Sequence, residues 1–135
     1  MNPTLTALVG FLAWSLFLLV LMEGIRSKLV LTKAVAANAF TPDNSNLSPF
    51  MQRLARAHAN CIEGLPIFGG LMLVAVLAGK ASITDPLAYL LLGARILQSV
   101  IHLSSLSAAA VTLRFWAFAV QMVIGVYWAV RLLIG

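Results

Sequence analysis

The sequence predicts an all-α integral membrane protein, an up-down bundle of four transmembrane helices, and three observations carry that expectation. Of its 135 residues, 61% are hydrophobic and only 10% are charged, and the mean hydropathy of +0.99 lies far outside the range of water-soluble domains. Four long apolar stretches each open with a helix-start signal. Two of the three connections between them are short enough to make consecutive helices antiparallel neighbours.

The first helix is expected over residues 3–24. Residues 2–22 carry no charge and suffice to cross a hydrocarbon core of about 30 Å at about 1.5 Å per residue. Asn2 can cap the first amides, and Pro3 suits the first helical turn. No basic segment precedes the run and no small-residue cleavage pattern comes before Glu23, so the segment reads as a retained helix and not a signal peptide. The connection over residues 25–47 is the long one. Its "TPDNSNLSP" is rich in turn formers, with room for a short interfacial segment.

Ser48-Pro49 opens a second helix over 49–79, Asp85-Pro86 a third over 86–105, and Ser107 before three alanines a fourth over 108–133. Arg26, Lys28 and Lys33 lie in the first connection, and Arg53 and Arg56 begin the second helix. The opposite side offers only Lys80 and Arg131. The positive-inside rule therefore puts the first and third connections in the cytoplasm, with both termini and the second connection across the membrane. No repeat is visible, and the 135 residues read as one membrane domain.

Net charge is +5 and the isoelectric point near 10.2. The basic residues are scattered around apolar spans without a basic-aromatic surface, which excludes nucleic acid as a partner and makes the excess topological. A single cysteine, Cys61, excludes a disulfide framework. Two histidines offer no metal site, and no Ser-His-Asp grouping or phosphate loop can be assembled. A transporter reading lacks the inverted repeat and paired broken helices it needs.

Polar residues concentrate instead on three helical stripes. On the second helix Arg53, Arg56, Asn60 and Glu63 recur at spacings of three, four and three, which places them on one face. Arg95, Gln98, His102 and Ser105 repeat the pattern on the third, and Arg114 and Gln121 lie seven apart on the fourth. The plain structural reading is mutual satisfaction, Glu63 pairing with Arg95 or Arg56 with a nearby carbonyl. Such groups cost a few kcal/mol each in a span and so face an interior or a wet cavity. The count favours a ligand, because four arginines (Arg53, Arg56, Arg95 and Arg114) outnumber Glu63, the one acidic side chain at that level. Excess guanidinium suits an anion whose carboxylates can be held bidentately.

Other residues carry more ordinary expectations. Cys61 reads as a small buried hydrophobe, Tyr127 and Trp128 as interfacial anchors, and Gly69 and Gly70 as close-packing positions. Pro66 should kink the second helix and free a carbonyl. His58 points away from the Arg56 face.

The stretch "RLARAHANCIEGLPIF", with its Arg-Ala-x-x-Asn-x-x-Glu core and a proline three residues later, resembles the second-helix signature of the MAPEG family, the membrane-associated proteins in eicosanoid and glutathione metabolism. The resemblance extends over almost the whole chain in helix count, in the long first connection and in the "GAR" that leads into Arg95. It implies a homotrimer of four-helix protomers in the lipid bilayer, with glutathione bound between protomers near the cytoplasmic face. On that resemblance Arg56, Asn60 and Glu63 match glutathione-binding positions, Glu63 meeting the tripeptide's amino group. His58 occupies a position where relatives carry polar ligand contacts, and Arg95 matches the arginine that opens the third-helix site. Arg114 best matches the fourth-helix arginine associated with thiolate stabilisation, and Lys33 or Arg26 would supply a basic first-connection contact. The sequence departs from the family pattern at Gln98 and His102, where characterised relatives place tyrosines, and at Gly64, where an aromatic can occur.

The resemblance implies a glutathione-dependent membrane enzyme, a transferase or peroxidase acting on a lipophilic small molecule that arrives from the bilayer. The chemistry needs a thiolate, from a thiol with a free pKa of about 8.5 that a neighbouring guanidinium lowers; Arg114 is the catalytic candidate. Two alternatives stay open, a non-catalytic trimeric scaffold or lipid-binding member, and a glutathione-dependent isomerase.

Overall fold

Four helices long and apolar enough to cross a bilayer make up most of the chain: α1 (Pro3–Leu31), α2 (Pro49–Leu77), α3 (Ala81–Ser104) and α4 (Ala108–Ile134). The computed structural model describes all residues from Met1 to Gly135, and it contains no strand. Three of the four expected starts form as the sequence implies. Asn2 Oδ1 accepts from Leu5 N at 2.8 Å, Ser48 Oγ from Met51 N at 3.3 Å, and Ser107 Oγ from Ala110 N at 3.1 Å. Each satisfies an amide that has no partner within its own helix.

The start of α3 differs. The helix begins at Ala81, so Pro86 lies inside it, and Lys80 at its N-cap makes no side-chain cap. The reversal is made by Gly79, whose φ of +70° an L side chain rarely adopts. The chain therefore turns within three residues and needs no longer loop. Asp85 is a cap after all, but for another helix: its Oδ1 accepts from Thr4 N at 3.1 Å and Thr4 Oγ1 at 2.5 Å, while Thr4 Oγ1 also meets Thr84 Oγ1 at 2.6 Å. A carboxylate is well placed at the positive N-terminal end of α1.

α1 is also longer than expected, running to Leu31. Glu23, Arg26 and Lys28 are tolerated because its 29 residues span about 44 Å at 1.5 Å per residue, more than the hydrocarbon thickness, so the charged turns lie beyond it. Residues 32–48 contain turns and no interfacial helix. Arg26 clasps them: Nε donates to Asn44 Oδ1 at 3.0 Å, Nη2 to Thr41 O at 3.1 Å and Nη1 to Glu23 at 3.0 Å. Asn44 is fully buried at a φ of 56°, and its Nδ2 donates to Met51 O at 2.7 Å, which carries the clasp into α2. Nearby, Thr41 and Ser45 donate to the exposed Asp43 carboxylate and hold its pKa below the usual carboxylate value.

Lipid competes for apolar side chains as well as a neighbouring helix does, so packing here depends on close approach. Ala7, Ala75 and Ala88 are fully buried at helix contacts. A Cβ added at Gly10 on α1 would lie 2.7 Å from Leu92 on α3. Gly69 behaves as expected, with Leu8 of α1 3.2 Å from an added Cβ, whereas Gly70 has nothing within 4 Å. Trp128, expected at an interface, is instead fully buried with Phe11, Leu54, Met72 and Leu91. Its neighbour Tyr127 is exposed, and its hydroxyl accepts from Arg131 at 2.7 Å. Leu16, Val20, Leu90 and Val123 face outward, as a surface in contact with lipid requires.

Pro66 acts as a breaker without ending the helix. A π-helical turn over Leu65–Gly69 widens α2 around it, an arrangement that absorbs the missing amide by changing the hydrogen-bond spacing. The turn lies along a groove between α2 and α4, with Pro66, Ile67 and Phe68 among its walls.

Candidate functional site

The polar stripe on α2 divides into residues used internally and residues left free. Arg53 Nε donates to Leu103 O at 2.9 Å, tying the start of α2 to the end of α3. Arg56 and Glu63 are exposed and make no hydrogen bond within the chain, while Asn60 is half-buried between them. The expected Glu63 to Arg95 pair is not formed, and the chain's one ion pair is Arg26 with Glu23 at 3.0 Å. The reason is geometric: Arg95 points inward, where the Asn60 amide oxygen and the Phe11 ring meet it.

Arg95 is 1% exposed. Its Nη1 donates to Asn60 Oδ1 at 2.5 Å, and its guanidinium carbon lies 5.4 Å from the centre of the Phe11 ring. A charge-assisted bond of about 1.5–3 kcal/mol and a desolvated cation–π contact of about 2 kcal/mol partly offset its burial. Nε and Nη2 have no partner. Nη2 lies 2.9 Å from where a Cβ at Gly64 would be, so the departure from an aromatic at this position makes room for the guanidinium.

Gln98 joins the same cluster. Its Nε2 donates to Asn60 Oδ1 at 3.1 Å, and its Oε1 accepts from Gln121 Nε2 at 2.8 Å. Gln121 Nε2 also donates to Ala117 O at 3.1 Å. Gln98 is thus engaged at both ends by protein groups. Gln121 was visible as a polar position on the fourth helix, but one sequence gives no sign that it reaches Gln98. The spacing shows a face and not what lies across from it.

A second cluster forms about one to two turns nearer the end of the bundle where α2 and α4 start and α3 stops. His102 is buried with Nε2 unpartnered, and the charges it faces are Arg114 of α4 and Arg56 of α2. Arg114 is half-buried, and its Nη1 is buried without a partner. His58 stands apart, facing Glu23 and Arg26 of α1, and its Nε2 is unpartnered too. Arg26 is consumed by the loop clasp, and Lys33 is exposed at a φ of 60°. Cys61 is fully buried, its sulfur 3.3 Å from Ser99 Oγ, as its expected core role requires.

From Asn60 and Glu63 a groove of about 890 Å³ runs between α2 and α4, walled by Ile67, Val74, Met122 and Val126 among others. It is polar at one end and apolar along the rest. Small-molecule sites of about 300–1,000 Å³ are built in this way.

Four spans, outward apolar faces and an inward polar cluster define an integral multi-pass membrane protein of the four-helix kind. The MAPEG family profile matches residues 4–134, and the chain belongs to that family. The family includes glutathione-dependent transferases and peroxidases as well as non-catalytic members. No individual curated protein and no solved structure matches the chain.

Proposed function

We propose that the protein is a glutathione-dependent membrane enzyme, a transferase or peroxidase acting on a lipophilic electrophile. The observation that carries this reading is the surplus of donors: Arg95 Nε and Nη2 and Arg114 Nη1 are buried without partners, and Arg56 is free at the surface above them. Glutathione has two carboxylates and one ammonium at neutral pH, which fits several guanidiniums and one Glu63. A family whose members generally use this tripeptide supports the same reading.

When bound, glutathione supplies a thiol that reacts once deprotonated. Arg114 holds the negative charge on the sulfur, and each unit by which that lowers the thiol pKa corresponds to about 1.4 kcal/mol. Arg56 holds a carboxylate, and Glu63 the ammonium. The groove from Asn60 towards Ala129 takes the apolar substrate, which partitions into it from the bilayer. Arg114→Ala should remove turnover of an electrophile such as a chloronitrobenzene while keeping assembly and most glutathione affinity. Turnover at the wild-type level would contradict the role.

A second reading, a non-catalytic scaffold of the same fold, is favoured by one observation. Gln98, at a position where relatives carry a ligand-contacting tyrosine, has both ends of its amide engaged within the chain. Homotrimer assembly belongs to both readings and is tested by mass measurement in detergent.

A further inference from the structure

The amides between α2, α3 and α4 form a chain whose direction is fixed from both ends. At one end, Gln121 Nε2 donates to Ala117 O at 3.1 Å. A backbone carbonyl only accepts, so Nε2 must occupy that side of the Gln121 amide. The second hydrogen of Nε2 goes to Gln98, 2.8 Å away, which must therefore present Oε1. That leaves Gln98 Nε2 as a donor to Asn60 Oδ1 at 3.1 Å. At the other end Arg95 Nη1 reaches the same Asn60 oxygen at 2.5 Å, and a guanidinium only donates. Carbonyl and guanidinium demand the same polarity from opposite ends.

The consequence falls on Asn60. Both donors claim its Oδ1, so its Nδ2 is left without an intrachain partner, and Asn60 is one of the residues lining the groove. The alternative amide orientation, with an acceptor towards the groove, would set N–H groups against Arg95 and Gln98. Gln121 is completely buried and Gln98 is 4% exposed, so neither has water to turn to. Gln121 Oε1 is itself buried without a partner. A side chain selected for stability alone would not carry that orphan, since an apolar residue of the same size fills the space without it.

We infer that Gln121 is a positioning residue: acting through Gln98, it fixes Asn60 with its amide N–H₂ towards the groove, as a donor to a carboxylate or carbonyl oxygen of glutathione. The inference rests on the glutathione reading above and gives Gln98, expected to touch the ligand, an indirect role instead. It also gives the site a preference for an acceptor at this point, which an asparagine free to turn would lack.

A double-mutant cycle tests it. Binding of reduced glutathione to the full-length protein in detergent is measured by calorimetry for wild type, Gln121→Met, Asn60→Ala and the double variant. Methionine keeps the volume and removes the donor. Gln121→Met should weaken binding about tenfold, Asn60→Ala at least as much, and the double variant no more than Asn60→Ala alone. Losses that multiply in the double variant would overturn the inference, as would unchanged affinity in Gln121→Met. If Gln121→Met does not assemble, Gln98→Met interrupts the same chain from α3, and the same pattern is expected of it. Wild-type protein that binds no glutathione defeats the underlying reading; wild-type binding that Asn60→Ala weakens and Gln121→Met does not defeats this inference alone.

Discussion

Arg95 is held for reasons that stability does not supply. Its guanidinium is buried in a membrane span, receives one amide oxygen and one ring face, and has no counter-anion. Replacing a poorly compensated buried charge by an apolar side chain of similar length is often neutral or stabilising. Arg95→Met should therefore leave thermal stability within about 1 kcal/mol or raise it, while glutathione affinity falls. A large loss of melting temperature would show that the Asn60 contact is a structural requirement. The sequence displayed Arg95, Asn60 and Gln98 at helical spacing, because facing positions follow from 3.6 residues per turn. It did not display the partner choice, and Glu63 was the natural expectation for Arg95 on charge alone. Which way a guanidinium turns depends on small residues such as Gly64, whose role is legible only once α3 lies against it.

At the scale of elements, the least legible segment was residues 32–48. Composition identified it as turn-rich, but its order comes from Arg26, eighteen residues before Asn44 in the chain, and no local pattern announces a bond of that separation. Asn44 serves the clasp with its oxygen and the Met51 carbonyl with its nitrogen. Asn44→Ala removes both and leaves buried groups unmatched, at a cost of about 1–3 kcal/mol for each. Faster amide exchange confined to residues 32–48 and the first turn of α2 is the expected outcome, and unchanged exchange would contradict the clasp. The start of α3 carries a related lesson. Asp85-Pro86 has the composition of a helix start, and Asp85 does cap a helix, but the helix it caps is α1. Capping chemistry was readable and its address was not.

For the whole molecule, four spans were legible because apolar length and N-cap chemistry act locally and agree with one another. The groove between α2 and α4 was not, since which residues face one another across it, Pro66, Ile67 and Phe68 of the π-turn among them, follows only from the packing of the two helices. The lysine and arginine bias predicts an orientation that labelling can test. In sealed vesicles with the cytoplasmic side enclosed, a membrane-impermeant maleimide should label Ser82→Cys directly and Ser45→Cys only after detergent. Both positions are exposed, and the native Cys61 is fully buried and so contributes no background. Labelling in the reverse order would invert the topology and move the polar clusters to the other face of the membrane.

The most direct test of the account is calorimetric titration of reduced glutathione into the detergent-purified protein, comparing wild type with Glu63→Gln and Arg56→Ala. Both side chains are exposed and make no hydrogen bond within the chain, so neither substitution should alter folding. Saturable binding to wild type, weakened at least tenfold by each substitution, is the predicted result. A well-folded protein that binds no glutathione, or binds it equally well in all three forms, would contradict the claim that the α2 polar face is a glutathione site.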